Sequence, residues 1–136
     1  MARLEQQRIV VMGLGYIGLP TASMLATKGH QVLGVDVSPK VVETINIGKI
    51  HIVEPDLDIL VRSAVNSGNL KASLTPEEAE VFILAVPTPF KDGGAHDKVP
   101  DLHFVEEASR AIAPYLKKGD LVILESTSPV GSTERV

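Results

Sequence analysis

The chain has no cysteine and no tryptophan, and aromatic residues make up only 4% of its 136 positions. Without a thiol, these residues cannot form a disulfide framework, a thiolate zinc site or a cysteine nucleophile. No apolar run approaches the roughly 20 residues that a membrane helix needs. The opening Met-Ala-Arg-Leu-Glu-Gln-Gln-Arg also lacks a signal peptide's hydrophobic region. Positive charge is scarce too. Thirteen Lys and Arg against 17 Asp and Glu give a net charge of -4, which recommends no nucleic acid and no membrane as partner; with no membrane run or signal region, a cytoplasmic setting is expected. What remains is 44% hydrophobic and 22% charged, the composition of a globular domain. Residues 1–136 are one domain's worth of chain.

The most informative stretch runs from Arg8 to Gly18. Arg8-Ile9-Val10-Val11-Met12 is an apolar, β-branched run that leads into Gly13-Leu14-Gly15-Tyr16-Ile17-Gly18. A buried strand followed by glycine at the first, third and sixth positions brings bare backbone up to a dinucleotide pyrophosphate. Gly13 allows the tight turn, Gly15 lets the cofactor approach, and Gly18 lets the following helix pack close. That helix is expected to reach about Lys28 and to stop at Gly29. Pro20 cannot donate to the Tyr16 carbonyl, so its first turn should be irregular.

The chain then alternates. Gln31 to Asp36 is a second strand, and Ser38-Pro39 caps and opens a helix to about Asn46. A third helix follows from Asp56 or Leu57 to about Asn66, and Leu70 to Leu74 is a short strand. Thr75-Pro76-Glu77-Glu78 has a helix-start signature with room for only a brief turn. Val81 to Val86 is the most hydrophobic strand and ends in Pro87-Thr88-Pro89, which stiffens the loop. Lys91 to Pro100 reads as an exposed loop. Leu102, Val105, Ala108, Ile112 and Leu116 space an amphipathic helix over 101–118, and Leu121 to Leu124 is the last strand. Near-continuous apolar strands between helices imply an α/β fold: a doubly wound parallel sheet of Rossmann type, with strand order 3-2-1-4-5.

Asp36 ends the second strand 18 residues after Gly18, where a carboxylate can accept hydrogen bonds from an adenosine ribose. It would repel a 2'-phosphate, and neither Val37 nor Ser38 could hold one, so the cofactor expected is NAD and not NADP. Tyr16 and Ile17 offer backbone N–H groups at a helix N-terminus; their side chains are packing or rim. Thr88 and Thr127 follow the fourth and fifth strands and belong at the same sheet edge, either to contact cofactor or to cap the next turn. Glu125 is polar lining or part of a structural ion pair. His51, Glu54 and Asp56, like Asp92, His96, Asp97 and Asp101, lie in loops without repeated ligand spacing, so no metal site is expected. Ser126 and Ser128 lack a hydrolase elbow. His30 and His103 read as surface positions.

Three stretches together carry a resemblance. Residues 13–20, Val86-Pro87-Thr88-Pro89 and Ser126-Thr127-Ser128-Pro129-Val130-Gly131 resemble the N-terminal domain of the UDP-glucose/GDP-mannose dehydrogenase family. Residues 51–57 and 87–91 are similar to its UDP-N-acetyl-D-mannosamine dehydrogenase branch. The resemblance implies NAD-dependent oxidation of a nucleotide sugar's C6 alcohol to a carboxylate, serving surface polysaccharide synthesis. It implies NAD contacts from Tyr16, Ile17, Asp36, Thr88 and Thr127, with Thr127 near the reacting centre; Pro87, next to Thr88, is a further candidate cofactor-binding residue. It also implies a UDP-sugar substrate and a homo-oligomeric full-length protein. The family's catalytic cysteine lies in later domains, so no catalytic residue is expected in this stretch, which should be inactive alone. Two alternatives share the glycine motif: a regulatory module of the potassium-channel type, and a β-hydroxyacid or 6-phosphogluconate-type dehydrogenase. Neither explains the two threonine loops.

Overall fold

The computed structural model describes residues 5–87, 90–91, 99–100 and 102–125. Its elements are β1 (Arg8–Met12), α1 (Gly18–Thr27), β2 (Gln31–Val35), α2 (Pro39–Asn46), α3 (Leu57–Asn66), β3 (Leu70–Ser73), β4 (Val81–Leu84), β5 (Phe90–Lys91), β6 (Val99–Pro100), α4 (His103–Ile112) and β7 (Leu121–Leu124). A five-stranded sheet runs in the order β3-β2-β1-β4-β7, and all its pairings are parallel. Because β5 and β6 form a separate antiparallel ribbon, β7 is the fifth strand of the main sheet. The expected doubly wound order is therefore the observed one.

Strand alternation sorts the core onto two faces. Ile9, Val11 and Ile83 pack with residues of α1, α2 and α3, whereas Val10, Met12, Phe82 and Leu84 pack with Ala79 and with Ala108 and Ile112 of α4. The center of the sheet is dry: Val10, Val11 and Phe82 are at most 1% exposed. At the β3 edge, the Asn46 side chain takes the place of a missing neighbour strand. Its amide donates to the Ala72 carbonyl at 3.0 Å and its oxygen accepts from the Ala72 N–H at 2.8 Å.

Several elements differ from the sequence expectation, each for a local reason. The irregular first turn expected at Pro20 is present, by contrast: Gly15 to Ile17 form a turn ahead of α1, which starts at Gly18. Leu19 N donates to the Gly15 carbonyl and Thr21 N to Ile17, and Pro20 between them donates nothing to Tyr16. β4 stops at Leu84, two residues short. Residues 75–78 contain no helical turn. They belong to the short crossover from β3 to β4, which must stay extended to cross β2 and β1; buried Pro76 and Ala79 pin it. The stretch expected as a loop over 91–100 begins and ends in the β5–β6 ribbon. The helix expected over 101–118 ends at Ile112 and tightens into one 3-10 turn, Ala113–Tyr115. Pro114 has no N–H for the Arg110 carbonyl, and Leu116 lies outside the helix, 41% exposed.

Candidate cofactor-binding site

The glycine turn follows directly from β1. Gly13 has φ +98°, a left-handed conformation that favours glycine, and its N–H donates to the Val35 carbonyl at 2.7 Å. A Cβ on Gly13 would meet the Ala85 carbonyl oxygen at 2.7 Å, and one on Gly18 would collide with the Gly13 carbonyl oxygen. These two glycines are required by the fold itself. Gly15 is different. A Cβ there would meet nothing within 4 Å, so packing does not demand glycine, and the space over it is open to a ligand. The first intrahelical bond of α1 begins with Leu19 N, so the N–H groups of Tyr16, Ile17 and Gly18 precede the ladder at the positive end of the helix dipole. The Tyr16 and Ile17 side chains are 62% and 47% exposed. They form rim rather than core.

Asp36 stands beside this turn, just past β2. Its Oδ2 accepts the Leu14 N–H at 3.1 Å and its Oδ1 accepts the Ser38 N–H at 3.0 Å. Two backbone donors fix the carboxylate, and its remaining lone pairs are available to hydroxyl donors. The sequence reading did not anticipate the part played by Leu14. That side chain is fully buried and lies where a Cβ on Gly34 would come within 2.6 Å of its Cδ2. A glycine inside a strand is the signal that could have revealed this approach.

A cleft opens from Gly13 and Asp36. The segments after β2 and β3 contribute Val37, Leu74 and Pro76 to it, and α4 contributes Phe104, Glu107 and Ala111. Pro87, exposed at the end of β4, also lines it. The structure thus brings Gly13, Gly15, Tyr16, Ile17, Gly18, Asp36 and Pro87 to one edge of the sheet. Thr88 and Thr127 lie outside the described residues, as do Asp92, His96, Asp97, Asp101, Ser126 and Ser128. Glu125 accepts a hydrogen bond from Thr21 Oγ1 of α1 at 2.8 Å, which gives it a structural partner. His30, expected at the surface, is half-buried, and its Nδ1 accepts the Gln7 N–H at 3.1 Å. His51, Glu54 and Asp56 are exposed, and no cluster of metal-ligating side chains occurs among the described residues.

An anion-accepting turn, a fixed carboxylate and an apolar cleft at the carboxyl ends of parallel strands are what a dinucleotide requires. Comparison with known proteins agrees. Residues 7–136 match the family model for the UDP-glucose/GDP-mannose dehydrogenase family, NAD binding domain. An NDP-N-acetyl-D-galactosaminuronic acid dehydrogenase of Ralstonia nicotianae is 59% identical over 133 residues, covering 98% of this chain and 30% of that protein. The UDP-N-acetyl-D-mannosamine dehydrogenase of Escherichia coli K12 is 61% identical, covering 94% of this chain and 30% of the relative. Among solved structures, the native UDP-N-acetyl-mannosamine dehydrogenase of Staphylococcus aureus superposes with a TM-score of 0.89 at 42% identity, covering 93% of this chain and 30% of that one. The chain thus spans about 30% of the length of the curated relatives it matches.

Proposed function

The chain belongs to the UDP-glucose/GDP-mannose dehydrogenase family, and from that premise we propose that residues 1–136 are the NAD-binding domain of a longer UDP-sugar 6-dehydrogenase. The open space over Gly15, beside a carboxylate already oriented by two backbone bonds, is the observation that carries the cofactor half of this assignment. The turn's N–H groups take the pyrophosphate, Asp36 takes the adenosine ribose, and the rim of Tyr16, Ile17 and Pro87 borders the cofactor. The family resemblance adds Thr88 and Thr127, which lie outside the described residues, to this proposal as further cofactor contacts, Thr127 being the one assigned near the reacting centre.

NAD held at this edge would supply the hydride acceptor for each of two successive oxidations at C6. One alcohol, two NAD and one water give one carboxylate, two NADH and three protons. Covalent catalysis of the second oxidation needs a thiolate, and this stretch has none. It therefore binds cofactor and turns nothing over by itself.

UDP-N-acetyl-D-mannosamine, oxidised to the uronate for surface polysaccharide, is the substrate best supported, given the names of several relatives about 60% identical to the chain. The Ralstonia relatives, of similar identity, carry a different sugar in their name, so a second UDP-N-acetylhexosamine is the competing assignment. The work would be done in the cytoplasm by a homo-oligomer. NADH production by the gene's full-length product, with UDP-N-acetylmannosamine beside UDP-glucose and UDP-N-acetylglucosamine, is the test. A strong preference for either of the latter two would reject the substrate and leave the family assignment standing.

A further inference from the structure

The cleft that opens at Asp36 is lined by apolar side chains and glycine, with two exceptions among the described residues: Asp36 itself and Glu107 of α4. We infer that Glu107 is a specificity-determining residue of the dinucleotide site. With the ribose held at Asp36, the purine lies in the apolar part of the cleft and its 6-amino group donates to the Glu107 carboxylate. This rests on the cofactor assignment made above and goes beyond it in naming what distinguishes the base.

An apolar slot holds a purine ring by contact area and cannot tell adenine from hypoxanthine, which has the same bicyclic frame. An ionised carboxylate only accepts hydrogen bonds. It favours a 6-amino group, a donor, and disfavours a 6-carbonyl group, another acceptor. Helical spacing brings Glu107 to the slot, because Phe104, Glu107, Ala108 and Ala111 lie on one face of α4 and all line the cleft. The plain alternative is that Glu107 serves only its partner one turn earlier, since its Oε1 lies 3.0 Å from His103 Nε2. Those two side chains are 55% and 60% exposed, however, and an exposed pair of this kind contributes little. A carboxylate has about four acceptor positions, enough for both His103 and an adenine amine. Base identity separates the two roles, because a purely structural ion pair would not change which base binds.

The test is calorimetric titration of the 136-residue chain with NAD and with nicotinamide hypoxanthine dinucleotide. The unaltered chain is expected to bind NAD roughly tenfold more tightly, the effect of one hydrogen bond to a charged, partly exposed acceptor. Glu107→Gln keeps the shape and adds a donor for the hypoxanthine carbonyl, so the ratio should fall to about twofold or less. Glu107→Ala should remove the preference altogether. Both replacements are good helix formers at an exposed position, and the melting temperature checks that the fold is kept. His103→Ala removes the ion pair while leaving the carboxylate, and it should preserve the preference. Equal affinity of the unaltered chain for the two dinucleotides would overturn the role of Glu107 and spare the cofactor assignment. So would a preference that survives Glu107→Ala, or one that His103→Ala abolishes equally. Failure of both dinucleotides to bind would reject the cofactor assignment and this inference together.

Discussion

The two flanks of the sheet are finished to very different degrees. On the β2–β3 side, Val32 and Leu70 are at most 4% exposed, α1 and α3 cover the strands, and the Asn46 amide caps the outer backbone edge. On the β7 side, Leu121, Val122 and Ile123 are 54%, 39% and 40% exposed. Register pairs Leu121 with Val81 and Ile123 with Ile83, so these two point to the α1 face and Val122 to the α4 face. The turn and carboxylate proposed to hold NAD sit on the finished flank. A cofactor platform needs rigid support beneath its backbone donors, and here the chain supplies that support from its own residues. Beside its pairing with β4, the end of β7 is tied to α1 by the hydrogen bond from Thr21 Oγ1 to Glu125.

The largest expected effect comes from the center of the finished flank. Gly18→Ala forces a Cβ onto the Gly13 carbonyl and should cost roughly 4 kcal/mol, measured by urea unfolding. Gly15→Ala, with open space above it, should stay within about 1 kcal/mol of the parent while weakening NAD binding. Equal losses of stability for the two would break the distinction between a packing glycine and a ligand glycine.

Next comes the contrast between the edges. Leu70→Ala in β3 should cost about 3 kcal/mol, and Leu121→Ala in β7 under about 1 kcal/mol, because only Leu70 is buried at 1% exposure. A large loss at Leu121 would mean that the β7 flank is as well packed as the other. Asn46→Ala leaves both backbone groups of Ala72 without their side-chain partner. The expected cost is about 1–2 kcal/mol, together with faster amide exchange at Ala72.

The smallest effect lies at the amino end of the strands. Glu80 accepts the Arg8 N–H at 2.8 Å and pairs with the guanidinium at 3.2 Å. Partial desolvation pushes its carboxyl up, but the Arg8 backbone and side-chain donors outweigh this and hold it below the usual carboxylate range. A depressed folded-state pKa adds stability above the unfolded value, near 4.5, and this is lost as pH falls through the folded one. With the Glu80 side chain 43% exposed, the contribution should be below about 1 kcal/mol after screening. Glu80→Gln should flatten the acid limb of a pH-stability curve by that amount, and an unchanged limb would remove the ion pair from the account.

Much of this was legible in the sequence. Runs such as Arg8–Met12 and Val81–Leu84 are apolar and β-branched over a strand's length, and the glycine spacing with Asp36 marks the turn and its acid. What misled was a local signal overruled by another constraint. The periodicity through Ile112 continues to Leu116, yet the missing donor of Pro114 ends α4 first. Thr75 to Glu78 resembles a helix start, but those residues have to span a crossover. Glu107 and Leu14 were invisible for a different reason. Their roles depend on which face of α4 meets the cleft and which strand faces the turn, and only the assembled sheet fixes those.

The central claim, that the Gly13–Asp36 edge is an NAD site, is tested most directly by calorimetric titration of the 136-residue chain with NAD and NADP. The account predicts saturable binding of NAD and binding of NADP weaker by at least about tenfold, since the Asp36 carboxylate meets the 2'-phosphate. Equal affinities, or no binding of NAD, would contradict it.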